Sequence, residues 1–381
     1  MASSLQGPVG PLLRRGPRPL LLHLTRAMLS STGSPSASPS SSGGLPGWNP
    51  DAAELIAGIA AYRRHPYRRE LPDPPTLWQE EESRVLDYAL PGAEGPEVLF
   101  VPSLVNRAYV LDLAPGRSMM RFFAAQGVRV RLLDWGWPGQ VERQFTLTDY
   151  IAGRLERALL ALSGPAILAG YCMGGLLAVA AAQRRPDRVA ALALLATPWD
   201  FHAGDPARGA QLARMLPMLE PAMQFNGTLP IDALQTLFAQ LDPGGIAEKY
   251  RGFARLDPES ERAALFVALE DWLNDGIPLA APVARECIAG WYGANTPAAG
   301  TWRVAGLKVD PTLLDLPAFI AAPARDRIVP PESARPMAAL IKGAVLHEPK
   351  AGHIGMAAGA TAEAALWRPL LDWMEEAAAL R

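Results

Sequence analysis

Short, unbroken apolar runs alternate with helix-periodic stretches through the middle of this chain. EVLFVPSL at 97–104 is such a run, closed by Pro102 and Ser103. SMMRFFAAQG at 118–127 has helical spacing and ends on Gly127, and VRVRLLDWG at 128–136 returns to a strand pattern. TLTDYIAGRLERALLAL at 146–162 predicts a helix with Thr148 or Asp149 near its start. PAILAG at 165–170 and RVAALALLATP at 188–198 read as buried strands, separated by GGLLAVAAAQRRP, a helix made of small residues. Strands alternating with helices of this length predict a parallel sheet wrapped by helices.

The alternation stops after Pro198. Residues 203–310 carry helical patterns and many prolines but no clear strand series. LPAFIAAP at 316–323 and AVLHEPKAGH at 344–353 resume strands, and ATAEAALWRPLLDWMEEAAAL at 360–380 closes as an amphipathic helix. A sheet interrupted late by a helical block predicts a cap over the strand ends. The expected organisation is an α/β core in two parts, 83–202 and 311–381, with an inserted helical cap at 203–310.

Ahead of the core, 48–82 reads as an N-terminal helical segment. WNPDAAELIAGIAAYRRH places Asn49 at the helix cap and Pro50 at the first helical position, and the helix stops at Pro66. Residues 1–47 read as a flexible segment, because 30–47 are Ser/Pro/Gly-rich and nearly uncharged, too polar to offset chain entropy. Before that linker, Leu20, Leu24 and Met28 share one face of an amphipathic helix. The Arg-rich, acid-free stretch around it also has the character of an organellar presequence. As a signal peptide it is interrupted by His23 and Arg26.

Composition narrows the function. The 381 residues, 49% of them hydrophobic, suit one large domain or a domain with an inserted cap. A net charge of -2, with no basic run and no acidic tail, points away from nucleic acid and anionic membranes. No apolar run approaches the roughly 20 residues that span a bilayer, so no transmembrane segment is expected. Cys172 and Cys287 cannot build a disulfide framework, and two isolated thiols fit a reducing cytoplasm. No Cys/His cluster has metal-ligand spacing, and no nucleotide-binding glycine motif is present.

The chemistry concentrates at GYCMGG, residues 170–175. Apolar strand, glycine-flanked turn and small-residue helix are the context of a nucleophile elbow, here with Cys172 at its apex. The helix N-terminus favours the thiolate, and the amide of Met173 points where an oxyanion would form. On its own Cys172 also reads as a small buried hydrophobe, as free cysteines usually are. Its downstream partners decide. Asp326 in ARDRIVP follows one late strand, and His353 in AGHIG follows the last. The order nucleophile, acid, histidine predicts an α/β-hydrolase fold with a Cys172–His353–Asp326 triad. Asp200 also follows a strand end and is the second-choice acid. His23, His65, His202 and His347 stand in poorer places, and Cys287 reads as packing. The loop VPSLVNR, 101–107, is where an early strand would supply a second oxyanion amide, near Leu104 or Val105.

Taken together, LLDWGWPG, FTLTDYI, GYCMGG, LLATPWDF, ARDRIVPPESA and GHIGM resemble the poly(3-hydroxyalkanoate) synthases, especially the short two-subunit kinds. VNRAYVLDL and LEDWLNDG resemble that family's second oxyanion segment and its cap. The resemblance covers about residues 80–375. It implies an (R)-3-hydroxyacyl-CoA substrate, a growing polyester and free CoA as products, and no cofactor, CoA being bound as substrate. Cys172 would carry the acyl chain, His353 would activate it, Asp326 would orient His353, and the Met173 and Val105 amides would hold the oxyanion. It implies a second synthase subunit or a homodimer as partners, and a cytoplasmic place at the surface of polyester granules. A cysteine suits this reaction because its acyl-enzyme is a thioester, which stays activated toward a hydroxyl where a serine ester would not. Trp272, Trp291 and Trp302 would then exclude water from the cap, or simply pack it. The same triad would also serve an intracellular polyester depolymerase or an acyl-CoA thioesterase, and a granule-bound protein with a degenerate site is the third alternative.

Overall fold

The computed structural model describes residues 14–30, 50–240 and 244–379. Of the linker read over 30–47, Ser30 ends a helix and the remainder lies outside the described residues, as does the Asn49 cap. The chain divides into two compact units, one of residues up to Arg69 with Gln235–Asp275, the other of Glu70–Leu234 with Gly276 onward.

The larger unit is built on an eight-stranded sheet. Its strands are β1 (Thr76–Glu80), β2 (Ser83–Asp87), β3 (Glu97–Val101), β4 (Arg129–Asp134), β5 (Ala166–Tyr171), β6 (Val189–Leu195), β7 (Ala318–Ala321) and β8 (Val345–His347). Their order across the sheet is β1-β2-β4-β3-β5-β6-β7-β8. β2 runs antiparallel to both neighbours, and every pair from β4 to β8 is parallel. Every residue of β3, β5, β6 and β7 is buried, which is why their sequences are continuous apolar runs rather than alternating ones. Edge strand β1, TLWQE, is mostly exposed and polar. It lies inside the 48–82 segment expected to be helical, a strand too short and too exposed to show a period of its own.

The register brings the carboxyl ends of the central strands level. Val101 pairs with Gly170, Tyr171 with Leu195, Leu195 with Ala321, and Ala321 with His347. Loops leaving those ends therefore meet on one edge of the sheet, where open α/β sheets bind ligands. The helix Met173–Arg184 lies against the sheet with almost no intervening side chain: a Cβ on Gly170 would stand 2.3 Å from Gly175 Cα. Small residues in that helix are the condition for the approach.

The smaller unit is helical, with Leu20–Ser30, Pro50–Arg64, Gly245–Ala254 and Glu261–Asn274. Leu55, Ile59, Tyr62, Tyr250, Phe253, Ala263 and Val267 form its core, with Leu20 and Leu24 packed against them. A Cβ on Gly58 would stand 2.0 Å from Tyr250 O, so helix backbones touch here. Arg14 pairs with Asp271 at 2.8 Å, and Tyr62 donates to the same carboxylate at 2.9 Å. The block read as one cap over 203–310 is thus divided. Gln235–Asp275 belongs with the N-terminal helices, while Pro206–Arg214, Leu216–Asn226 and residues from Gly276 belong with the sheet. No helix among the described residues is long and apolar enough to cross a membrane.

Candidate active site

Cys172 sits at the end of β5 with φ +57° and ψ −128°, as the residue before the helix Met173–Arg184. Positive φ is costly for a residue with a Cβ, on the order of 1–3 kcal/mol, and persists only where the surroundings enforce it. They do so here. Cys172 N donates to Leu195 O at 2.8 Å, and Gly175 N to Cys172 O at 3.0 Å. A Cβ on Gly174 would stand 2.0 Å from Val101 O, and one on Gly175 1.8 Å from Thr197 Oγ1. The flanking glycines let strand, turn and helix close around the thiol. Gly174→Ala meets backbone rather than a flexible side chain, so it is expected to destabilise the fold by roughly 2–4 kcal/mol. Chemical denaturation of the variant checks this, and an unchanged midpoint would show the elbow to be looser than its geometry.

The structure brings His353 and Asp326 to the same place. Asp326 follows β7, and its Oδ1 accepts from Ile328 N at 2.8 Å and Val329 N at 2.9 Å, which fixes the carboxylate. Its Oδ2 lies 2.7 Å from His353 Nδ1. Cys172 lies close enough to the imidazole for its charge to act on it. His353 and Asp326 are both buried. Tyr171 donates from its hydroxyl to His353 O at 3.2 Å, and the two rings lie 5.1 Å apart.

Burial by itself would lower the His353 pKa. The charge of Cys172 and the hydrogen bond that His353 donates to Asp326 outweigh it and push the value up from 6.5 to about 10. A histidine whose folded pKa exceeds its unfolded one holds its proton more tightly in the native state. Its contribution to stability is full below about pH 6.5 and is lost as pH rises through about 10. Part of that shift comes from Cys172 and so depends on the thiol being free. Alkylating Cys172 with iodoacetamide is expected to move the His353 imidazole titration, followed by NMR, down from about 10. An unmoved titration would assign the whole shift to Asp326.

The oxyanion positions differ from each other. Met173 is the first helical residue, where a backbone N–H has no intrahelical acceptor. Val105 N is engaged by Ser103 Oγ at 3.2 Å. A neutral hydroxyl held at that length competes weakly with an oxyanion, whose hydrogen bonds are about twice as strong.

The other sequence candidates lie elsewhere. Asp200 Oδ1 accepts from Asn295 Nδ2 at 2.8 Å and His202 N at 2.9 Å and holds a loop together. Each remaining histidine is taken by a backbone carbonyl: His23 with Arg18, His65 with Pro258, His202 with Tyr292, His347 with Ala365. Cys287 is buried, and burial pushes its thiol well above the ordinary range. Trp272 is buried in the smaller unit, and Trp291 and Trp302 are buried in the larger, with rings 5.4 Å apart. Among the described residues no three His, Cys, Asp or Glu side chains gather as metal ligands would. Sequence reasoning missed Tyr292, on whose phenol the Cys172 charge acts, and no local pattern marks it.

A strand-end nucleophile, an acid loop and a final histidine on one sheet edge define the alpha/beta hydrolase fold. Its family model matches residues 96–359, and the chain belongs to that family. An enol-lactonase from Burkholderia xenovorans LB400 aligns with 79% of this chain and 99% of its own, at TM-score 0.44 and 18% identity. Within the fold, sequence is more specific. The poly(3-hydroxyalkanoate) polymerase subunit PhaC of Haloferax mediterranei is 30% identical over 313 residues, 79% of this chain and 63% of that one. The subunit of the same name from Allochromatium vinosum is 28% identical over 294 residues, 75% of this chain and 82% of that one. Over three quarters or more of its length the chain is similar to proteins named as poly(3-hydroxyalkanoate) polymerase subunits.

Proposed function

We propose that this chain polymerises (R)-3-hydroxyacyl groups from CoA into a polyester, with Cys172 as the acyl carrier. The observation that carries the reading is a cysteine, not a serine, on an enforced positive-φ elbow, its charge acting on a histidine held by a buried aspartate. The relatives' names support the choice of substrate.

The geometry supports the following steps. The Cys172 thiolate attacks the thioester carbon, and the Met173 amide, with that of Val105 once Ser103 yields it, receives the oxyanion. The bond to CoA breaks, and the leaving thiolate takes the His353 proton. Acylation also cancels the Cys172 charge, which had raised the His353 pKa. The imidazole is thereby returned to a value at which it can act as a base near neutrality. An incoming 3-hydroxyl then loses its proton to His353, its oxygen attacks the Cys172 thioester, and the carbon–sulfur bond breaks. The ester, one unit longer on CoA, returns to Cys172 by the first step.

The need for a partner is part of the reading, because the relatives are named as subunits. A second subunit or a second copy of this chain, in the cytoplasm at the surface of the polyester, fits that naming and the product's insolubility. No cofactor enters any step.

The deciding experiment is CoA release from (R)-3-hydroxybutyryl-CoA with the products sized by chromatography. Insoluble high-mass polyester supports polymerisation. Release with free 3-hydroxybutyrate alone would replace it with thioester hydrolysis on the same triad.

A further inference from the structure

The loop that leaves β3 is held against the elbow by its backbone. Val101, the last residue of β3, pairs with Gly170, and a Cβ on Gly174 would stand 2.0 Å from Val101 O and 2.6 Å from Pro102 O. The indole of buried Trp135 donates from Nε1 to Pro102 O at 3.0 Å. Three residues on, the backbone of buried Ile277 donates to Val105 O at 3.0 Å. Residues 102–105 are thus pinned at their first and last carbonyls. The peptide that carries the Val105 N–H has little freedom to turn.

Ser103 lies inside that span and is buried. Its hydroxyl accepts the Val105 N–H at 3.2 Å, and among the described residues it makes no other hydrogen bond. An amide that stabilises an oxyanion needs that oxygen about 2.7–3.1 Å away, in the direction of its N–H. The Ser103 oxygen already stands in that direction. The backbone is fixed at both ends, and the side chain is held by one neutral bond. Rotation of Ser103 about χ1 is therefore the step that clears the amide.

We infer that Ser103 is an internal occupant of the second oxyanion position, and that its hydroxyl holds thioester attack below the rate the elbow could deliver. The inference rests on the acyl-transfer reading above, in which the loop after the early strand supplies the second amide. The occupant has a physical reason to be there. An amide left without an acceptor in a desolvated place is destabilising, and Ser103 satisfies it while no substrate is bound. The same bond must then be broken each time the tetrahedral intermediate forms.

The test is single-turnover CoA release from (R)-3-hydroxybutyryl-CoA by wild type, Ser103→Ala and Ser103→Thr, with alkylation of Cys172 by iodoacetamide followed on the same proteins. Alkylation displaces iodide at a saturated carbon and forms no oxyanion, so it reports the thiol and its access alone. Ser103→Ala removes the occupant and is expected to release CoA about fivefold faster, the equivalent of one neutral hydrogen bond, with alkylation unchanged. Ser103→Thr keeps the hydroxyl and is expected to match wild type in both. A slower alanine variant would make the hydroxyl a contributor to the reaction, and an equal rate would show that the amide does not limit it. Either result overturns the inference and leaves acyl transfer standing. A rise shared by alkylation or by the threonine variant would overturn it in favour of a loosened loop. If all three proteins are alkylated but none releases CoA, the acyl-transfer reading falls and this inference with it.

Discussion

Replacing Cys172 by alanine is expected to lower CoA release from a 3-hydroxyacyl-CoA by roughly a thousandfold or more, with the fold intact. Cys172 is the thiol whose charge acts on His353, and Cys287 cannot stand in, since it is buried in a helix among apolar neighbours. Cys172→Ser is the informative companion. Serine keeps a nucleophilic oxygen but needs a full general base, and the ester it forms has no advantage over the polyester bond. It is expected to acylate slowly and to pass the chain on more slowly still, so an acyl-enzyme should accumulate and be visible by mass spectrometry. A third substitution separates strain from chemistry. At φ +57° glycine carries no Cβ penalty, so Cys172→Gly is expected to be inactive yet more stable by about 1 kcal/mol. A less stable glycine variant would show that the thiol's packing outweighs the strain of the turn.

The second large effect is at His353. His353→Gln should lower CoA release by two to four orders of magnitude, the ordinary worth of a positioned acid–base group. The glutamine can still occupy the space and hydrogen-bond Asp326, so the loss reads proton transfer rather than collapse. The pH dependence should change with it. In the wild type the His353 proton is retained until about pH 10 with the thiol free, and that limb should vanish in the variant. Persistence of the limb would move its origin to another group. Steady-state rates between pH 6 and 11 on both proteins provide the comparison.

Much of this site was legible because it is local. A strand, a glycine-bounded turn and a small-residue helix are contiguous, and GYCMGG can adopt the elbow only with glycine at 170, 174 and 175, as the close approaches there demonstrate. The apolar runs gave away the parallel sheet for the same reason: a strand covered on both faces has no polar side to show. The cap was harder. Helices with similar periodicity look alike in sequence whether they pack on a sheet or on other helices. The allegiance of Gln235–Asp275 to the N-terminal helices depends on contacts such as Gly58 against Tyr250 and Arg14 with Asp271, far apart along the chain.

By itself the sequence determined the main strands and helices of the core, the residue at the elbow and the chain order of Cys172, Asp326 and His353. Strand and turn preferences act over a few residues, and that range suffices for them. Only the tertiary structure decided between Asp326 and Asp200, both of which follow strand ends. One meets His353 at 2.7 Å, and the other is consumed by Asn295 and His202. Only the structure set Ser103 against the Val105 amide. Those relations are made by packing between segments that no local pattern connects, and packing selects among residues that local chemistry leaves equivalent.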